Sequence, residues 1–206
     1  LRAYGNQNEA ALEALSSQLH RALLEQAGQR VRGLGPERAR EALASTWKDI
    51  PSAVRKQPDV ALLYAQQLVD SDLHIDAEAL VRKTLEKHWS PELVRLYGLI
   101  RASDAGQQLI TAEGWLKKRP ADALLMLTLG RLSLRNQLWG KARDYFQSSL
   151  TLHKHPETCA ELARLLAHMG EHKKSTEYYQ QGLLLTTERL PDLPLPKEPE
   201  PHLQSS

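Results

Sequence analysis

The sequence predicts an all-α fold, a right-handed solenoid of stacked helical hairpins, and three observations predict it. Residues recur at an offset of 33: Leu129, Gly130, Trp139, Ala142, Phe146 and Leu150 return as Leu162, Ala163, His172, Ser175, Tyr179 and Leu183, a period that belongs to stacked helix–turn–helix arrays. Apolar residues return at helical spacing and do not alternate. The chain is 41% hydrophobic with a single Phe, and its Leu and Ala suit close helix packing better than a β-sandwich.

The first element is expected from Gln7 to Gln29, with Asn6 as its cap, Glu9 three residues on, and Leu12, Leu15, Leu19 and Leu23 as its apolar face. Gly28, Gly33 and Gly35 break it, and Pro36 opens a second helix carrying Ala39, Ala42, Leu43 and Trp47. This hairpin, residues 1–57, fits the repeat poorly, as terminal repeats do. Leu1 to Tyr4 reads as the end of an earlier element, so the chain is expected to be a soluble fragment of a longer protein.

Residues 58–185 are expected to hold about four repeats. Ala61, Tyr64, Ala65 and Leu68, then Ala77, Leu80, Val81, Thr84 and Leu85, supply the two faces of the first. The second begins near Pro91: Leu93, Leu96 and Tyr97, a close contact at Gly98, then Leu109, Ala112, Trp115 and Leu116, with Gln108 where other units have Ala or Ser. The third sets Leu125, Leu129 and Leu132 against Leu138, Ala142, Tyr145, Phe146, Ser149 and Leu150; the fourth repeats it from Pro156 with Leu162, Ala163, Leu166 and Gly170, then Ser175, Tyr178, Tyr179 and Leu183. These units are of the tetratricopeptide type, in which small residues bring helices together and larger ones fill the gaps. Ala65, Ala77, Gly98, Gly130, Gly140, Ala142, Ala163 and Ser175 are the expected close-contact positions, and Trp115, Trp139, Phe146 and Tyr179 the expected wedges. Five of the eleven prolines fall after Leu185 among Glu and Asp, so residues 186–206 are expected to be a disordered tail.

Composition excludes more than it selects. Lys plus Arg (27) nearly balance Asp plus Glu (25), a net +2, which as a total argues for neither nucleic acid nor an anionic membrane. A lone cysteine, Cys159, forms no internal disulfide and is expected to be a buried packing residue. No stretch approaches the ~18 apolar residues of a membrane span.

No catalytic constellation stands out: there is no nucleophile elbow, no distinctive carboxylate pair and no phosphate-cradling loop, so no enzyme is expected. No resident cofactor or metal is expected either. His153 and His155 flank Lys154 in a loop, and His168 and His172 are separated by Gly170, which ends the helix and destroys a shared face. No Cys-x-x-Cys-His haem-attachment motif occurs. His74 and His88 stand at turn edges without a partner at ligand spacing.

The expected functional surface is the concave side, formed by the first helix of each hairpin. Arg101, Arg131, Arg135 and Arg164 are placed there, with Gln66, Leu127 and Leu134. Arginines recurring on a groove can fork onto carboxylates of an acidic segment or of a porphyrin.

Several segments go beyond generic repeats. Leu93-Val-Arg-Leu-Tyr-Gly98, Ala112-Glu-Gly-Trp-Leu116 with Pro120, Leu129-Gly-Arg-Leu132, Leu138-Trp-Gly-Lys-Ala-Arg143, Ser149-Leu150, Glu161-Leu-Ala-Arg164 and Gly170 together resemble the HemY family of bacterial inner-membrane proteins associated with haem biosynthesis. The resemblance covers roughly residues 40 to 185. It implies an N-terminal membrane anchor outside this sequence, a soluble repeat domain facing the cytoplasm, and an organising role among enzymes of late protohaem synthesis. The unrelated flavin-dependent oxidase that shares those letters is not the match, because no Gly-rich dinucleotide fingerprint is present. Two further readings remain open: a haem or porphyrin carrier using the same groove, and an envelope-biogenesis scaffold with no tetrapyrrole link.

Overall fold

The computed structural model describes residues 2–187, with side chains described from Leu15 onward. The described residues form eleven helices: α1 (Arg2–Val31), α2 (Pro36–Asp49), α3 (Ser52–Arg55), α4 (Pro58–Asp70), α5 (His74–Leu85), α6 (Pro91–Tyr97), α7 (Ala105–Leu116), α8 (Ala123–Arg135), α9 (Trp139–Leu152), α10 (Pro156–His168) and α11 (His172–Thr186). α4 pairs with α5, α8 with α9 and α10 with α11 as hairpins; α6 and α7, the second unit, lean mainly on α8 rather than on each other, and α1 to α3 pack against α4 as the irregular end of the stack. The expected tail lies almost wholly outside the described residues.

Local chemistry sets the helix ends. Proline opens α2, α4, α6 and α10, where its missing N–H is no loss. Ser90, Asp104 and Asp122 cap α6, α7 and α8 by accepting backbone N–H groups. The turns after α4, α8 and α10 share one closure. Leu73 N–H donates to Leu68 O, Leu138 to Ser133 O and Glu171 to Leu166 O, at 2.8, 2.9 and 2.9 Å. Asp72, Gln137 and Gly170 sit at positive φ in those turns, the left-handed residue that this helix ending requires.

Hydroxyls and one amide fasten helix to helix. Thr128 Oγ1 on α8 donates to Val94 O on α6 at 2.7 Å; Ser149 on α9 donates to Ala123 O, and Ser175 on α11 to Ala163 O. In the second hairpin Gln108 Nε2 donates to Tyr97 O and Ile100 O, both at 3.1 Å, and is buried. The longer side chain reaches the carbonyls that end the seven-residue α6. Small residues do the close packing: Ala65, Ala77, Ala142 and Ala163 are fully buried. A Cβ on Gly98 would stand 3.1 Å from the Thr128 backbone, and one on Gly130 would enter the Phe146 ring at 2.3 Å.

Apolar burial is nearly continuous. One cluster runs from Leu24 to Leu132; a second joins Leu127, Phe146, Leu162, Leu165 and Leu166 in the last two hairpins. Trp47 stacks on Tyr64 at 4.2 Å, and Trp115 packs edge-on against Trp89 and tilted against Tyr97.

Several expectations need correction. Residue 6 lies inside α1, which starts at Arg2; one Gly and one Asn are too weak to stop a thirty-residue helix. Leu15, Leu19 and Leu23 are exposed, and α1 buries Leu24, Ala27 and Val31 instead, because α2 and α4 meet the other side of its last turns. Trp139 is half exposed rather than a buried wedge, and Gly140 next to it faces open space. Tyr179 and Leu183 are exposed, because among the described residues no further helix covers the outer side of α11. Leu138 is exposed as well.

Candidate functional site

The first helices of successive hairpins share a face on which charges interlock. Arg131 on α8 donates from Nε to Glu161 at 3.0 Å and from Nη2 to Glu157 at 3.1 Å, both on α10. Arg95 on α6 also binds Glu157, and Arg164 Nη2 donates to Glu161 at 2.5 Å. The pairing of Arg95 with Glu157 skips the intervening hairpin. Side chains from alternate repeats meet this way only where the helices converge, so this face is the inside of the curve.

The four expected arginines divide by burial. Arg131 is 9% exposed, and burial pulls its guanidinium pKa down against the opposing pull of Glu161. Its Nη1 has no partner among the described residues. Arg135 is half-buried and donates to Leu99 O at 2.9 Å and to Ile100 O, closing the chain end of α6. Its pKa is likewise lowered, first by burial and then by Arg101.

Arg101 lies in the α6–α7 loop and on no first helix, which corrects its expected placement. It binds Asp72 at 2.6 Å and His74 Nε2 at 3.0 Å on the neighbouring turn. Burial, then Arg101, lowers the pKa of His74. Arg101 (66%) and Arg164 (59%) stay exposed, and of these two only Arg164 stands on a first helix. Gln66 is exposed on α4, apart from this network. Leu127 is fully buried and does not face the groove, a second correction.

Beside Arg164 opens a cavity of about 590 Å³, lined by Leu134, Trp139, Arg164, Leu165, His168 and Met169. Trp139 (49% exposed) and Met169 (44%) give it an apolar wall, which explains why Trp139 stays out of the core. Sequence reasoning missed the acids that organise this face. Glu157 and Glu161 are spaced i, i+4, as are Arg131 and Arg135, but they follow 26 residues later, about two helical turns short of the 33-residue repeat; opposite charges at matching helical spacing were the available signal, and the repeat offset alone does not pair them.

The histidines do not gather. His155 caps α10 by accepting from Glu157 N–H, and its pKa is lowered by burial and then by Arg95. His168 ends α10 and His172 starts α11 across Gly170, so they share no helix face. No group of three or more His, Cys, Asp or Glu among the described residues could hold a metal. Cys159 is fully buried, and burial raises its thiol pKa.

No family model matches the chain, and no curated protein matches it. Solved structures do. The chain is similar to TTC0263, a thermophilic TPR protein in Thermus thermophilus, with a TM-score of 0.57, 19% identity, and 81% of this chain and 91% of that one covered. The likeness shows the fold. The chain is an all-α helical-repeat solenoid of the tetratricopeptide type, without strands among the described residues. It also aligns with MamA 41-end from Desulfovibrio magneticus RS-1 at 18% identity and a TM-score of 0.46, over 81% of this chain and 94% of that one. No helix of the described residues is long and apolar enough to cross a membrane.

Proposed function

We propose that the chain is a non-enzymatic protein-binding scaffold that takes its partners on the inner face, at the cavity beside Arg164. One observation carries this reading: an exposed guanidinium stands at the rim of an apolar cleft whose Trp139 and Met169 are uncovered. Such a site fits a partner segment that presents a carboxylate next to apolar side chains. Arg131 serves it from below by fixing Glu161, which in turn orients Arg164. The resemblance to HemY proteins supports placing this scaffold at the bacterial inner membrane, through an anchor outside this sequence, with the domain facing the cytoplasm. Its partners are then enzymes of late protohaem synthesis.

Pull-down from membranes with wild type, Arg164→Glu and Trp139→Ala tests the reading. Both variants lose the partners recovered by wild type; recovery of the same partners by both overturns the groove assignment. Arg131→Glu is the wrong probe, because reversing a buried, doubly paired charge destabilises the fold by ~3–5 kcal/mol and mimics loss of binding.

A tetrapyrrole carrier is the second reading, supported by His168 and Met169 lining the same cavity as Arg164. Titration followed at the Soret band separates the two: absence of a saturable shift at micromolar haem removes the carrier. An envelope scaffold without a tetrapyrrole link is favoured instead if the upstream sequence holds a cleavable signal peptide.

A further inference from the structure

The near-balanced net charge conceals a segregation between the two edges of the solenoid. The loops joining successive hairpins, α5–α6, α7–α8 and α9–α10, carry Lys87, Lys117, Lys118, Arg119 and Lys154, all exposed. No ion pair among the described residues includes any of the five. The acids of these loops are Glu86, which lies 3.8 Å from Arg82, and Asp122, which is engaged by the α8 N-terminus and by Trp89 Nε1 at 2.9 Å. Glu92 and Glu157 nearby are held by Ser90 and by the arginines of the inner face. The turns within the repeat units, on the opposite edge, hold two cations, Arg32 and Arg101, against three acids, Asp72, Asp104 and Glu171, and Arg101 pairs with Asp72.

Contacts join the three basic loops into one surface. Arg119 lies over the Trp89 ring at 4.4 Å, tying the second loop to the first. A cavity of about 620 Å³ opens between Pro91, Lys118, Arg119, Ser149, His153 and His155, where the second loop meets the third. Exposed leucines flank the cations. Leu152 immediately precedes His153 and Lys154, while Leu184 and Leu185 end α11. That last turn runs beside the start of α10, since a Cβ on Gly182 would lie 3.4 Å from Pro156 O.

We propose that this loop edge docks the domain on an anionic lipid surface, with the lysines and Arg119 at the headgroup phosphates and the leucines at the acyl boundary. Each cation gains from the negative surface potential within a Debye length, and flanking apolar side chains add a short-range contact that a soluble polyanion lacks. Nucleic acid fits less well: stacking needs open aromatic faces, and the aromatic of this edge, Trp89, is covered by Arg119 and partly buried. This docking does not depend on the inner-face reading, because it uses none of the residues assigned to partner binding.

The test is sedimentation of the 206-residue chain with phosphatidylglycerol vesicles and with phosphatidylcholine vesicles. Wild type binds the first, less tightly as salt rises, and does not bind the second. Lys117→Glu with Lys118→Glu lowers the partition coefficient by at least ~30-fold, whereas Arg32→Glu with Lys173→Glu, an equal charge change on the other edge, alters it by less than about threefold. All four residues are exposed, and circular dichroism confirms that each double variant stays helical. Equal loss in both double variants, no loss in the lysine pair, or equal binding to both vesicle types overturns the proposal. So does capture of a duplex oligonucleotide with no binding to either vesicle.

Discussion

At the scale of single residues, the packing is decided by contacts that permit no substitution of size. Gly130 is the clearest: its missing Cβ is the space that the Phe146 ring occupies. Gly130→Ala is expected to lower stability by ~1–3 kcal/mol through overpacking, measured by chemical denaturation, and Phe146→Leu in the same background recovers part of that loss. Gln108 tests the difference between repeat pattern and structure. By pattern, Ala is the standard residue at this position, so Gln108→Ala should be harmless. By structure, it strips two carbonyls of their donor and leaves a hole, so ~1–3 kcal/mol is lost in the same assay. A stable Gln108→Ala variant would show the two hydrogen bonds to be dispensable.

At the scale of the element, helices end where the chain can turn left-handed, and the three similar turns do so with different residues. Gly170 adopts positive φ without cost, whereas Asp72 and Gln137 do so with a side chain in place. Gln137→Gly relieves that strain at an exposed position and is expected to raise stability by ~0.5–1 kcal/mol after the added chain entropy is counted. Thermal melting reads this as a higher Tm, and an unchanged or lower Tm would refute the strain. The positions of helix ends were legible in the sequence wherever a proline or capping side chain marks them, as at Pro36, Pro58, Pro91 and Pro156. The start of α1 was not, because Asn6 has the chemistry of a cap but neighbours that allow the helix to continue.

At the scale of the whole molecule, each hairpin leans on its neighbours, and the ends are covered on one side only. α11 buries Ser175 and Gly182, whereas Leu183 and Leu184 remain about two-thirds exposed. Native-state hydrogen exchange should therefore give α11 the least protected amides of the last two hairpins and α8 the most protected; equal protection would mean that the two hairpins open as one unit. The same geometry separates functions. The inner face, where Arg95, Arg131 and Arg164 interlock with Glu157 and Glu161, lies on the first helices, while the unpaired lysines stand on one loop edge.

The sequence by itself determined the class of fold and most of the small residues at close contacts, Gly140 excepted, since these follow from local periodicity and from a repeat offset that any helical array must keep. It also indicated that arginines recur on the first helices. Only the tertiary structure decided which of them are free. Whether Arg131 faces solvent or two carboxylates depends on how sharply the stack curves, and whether Trp139 is a wedge or a cavity wall depends on how far α9 stands from α10. The charge segregation was equally hidden: a sum over the chain gives a net +2, and opposite edges of a solenoid are brought into being by the folding of loops some thirty residues apart.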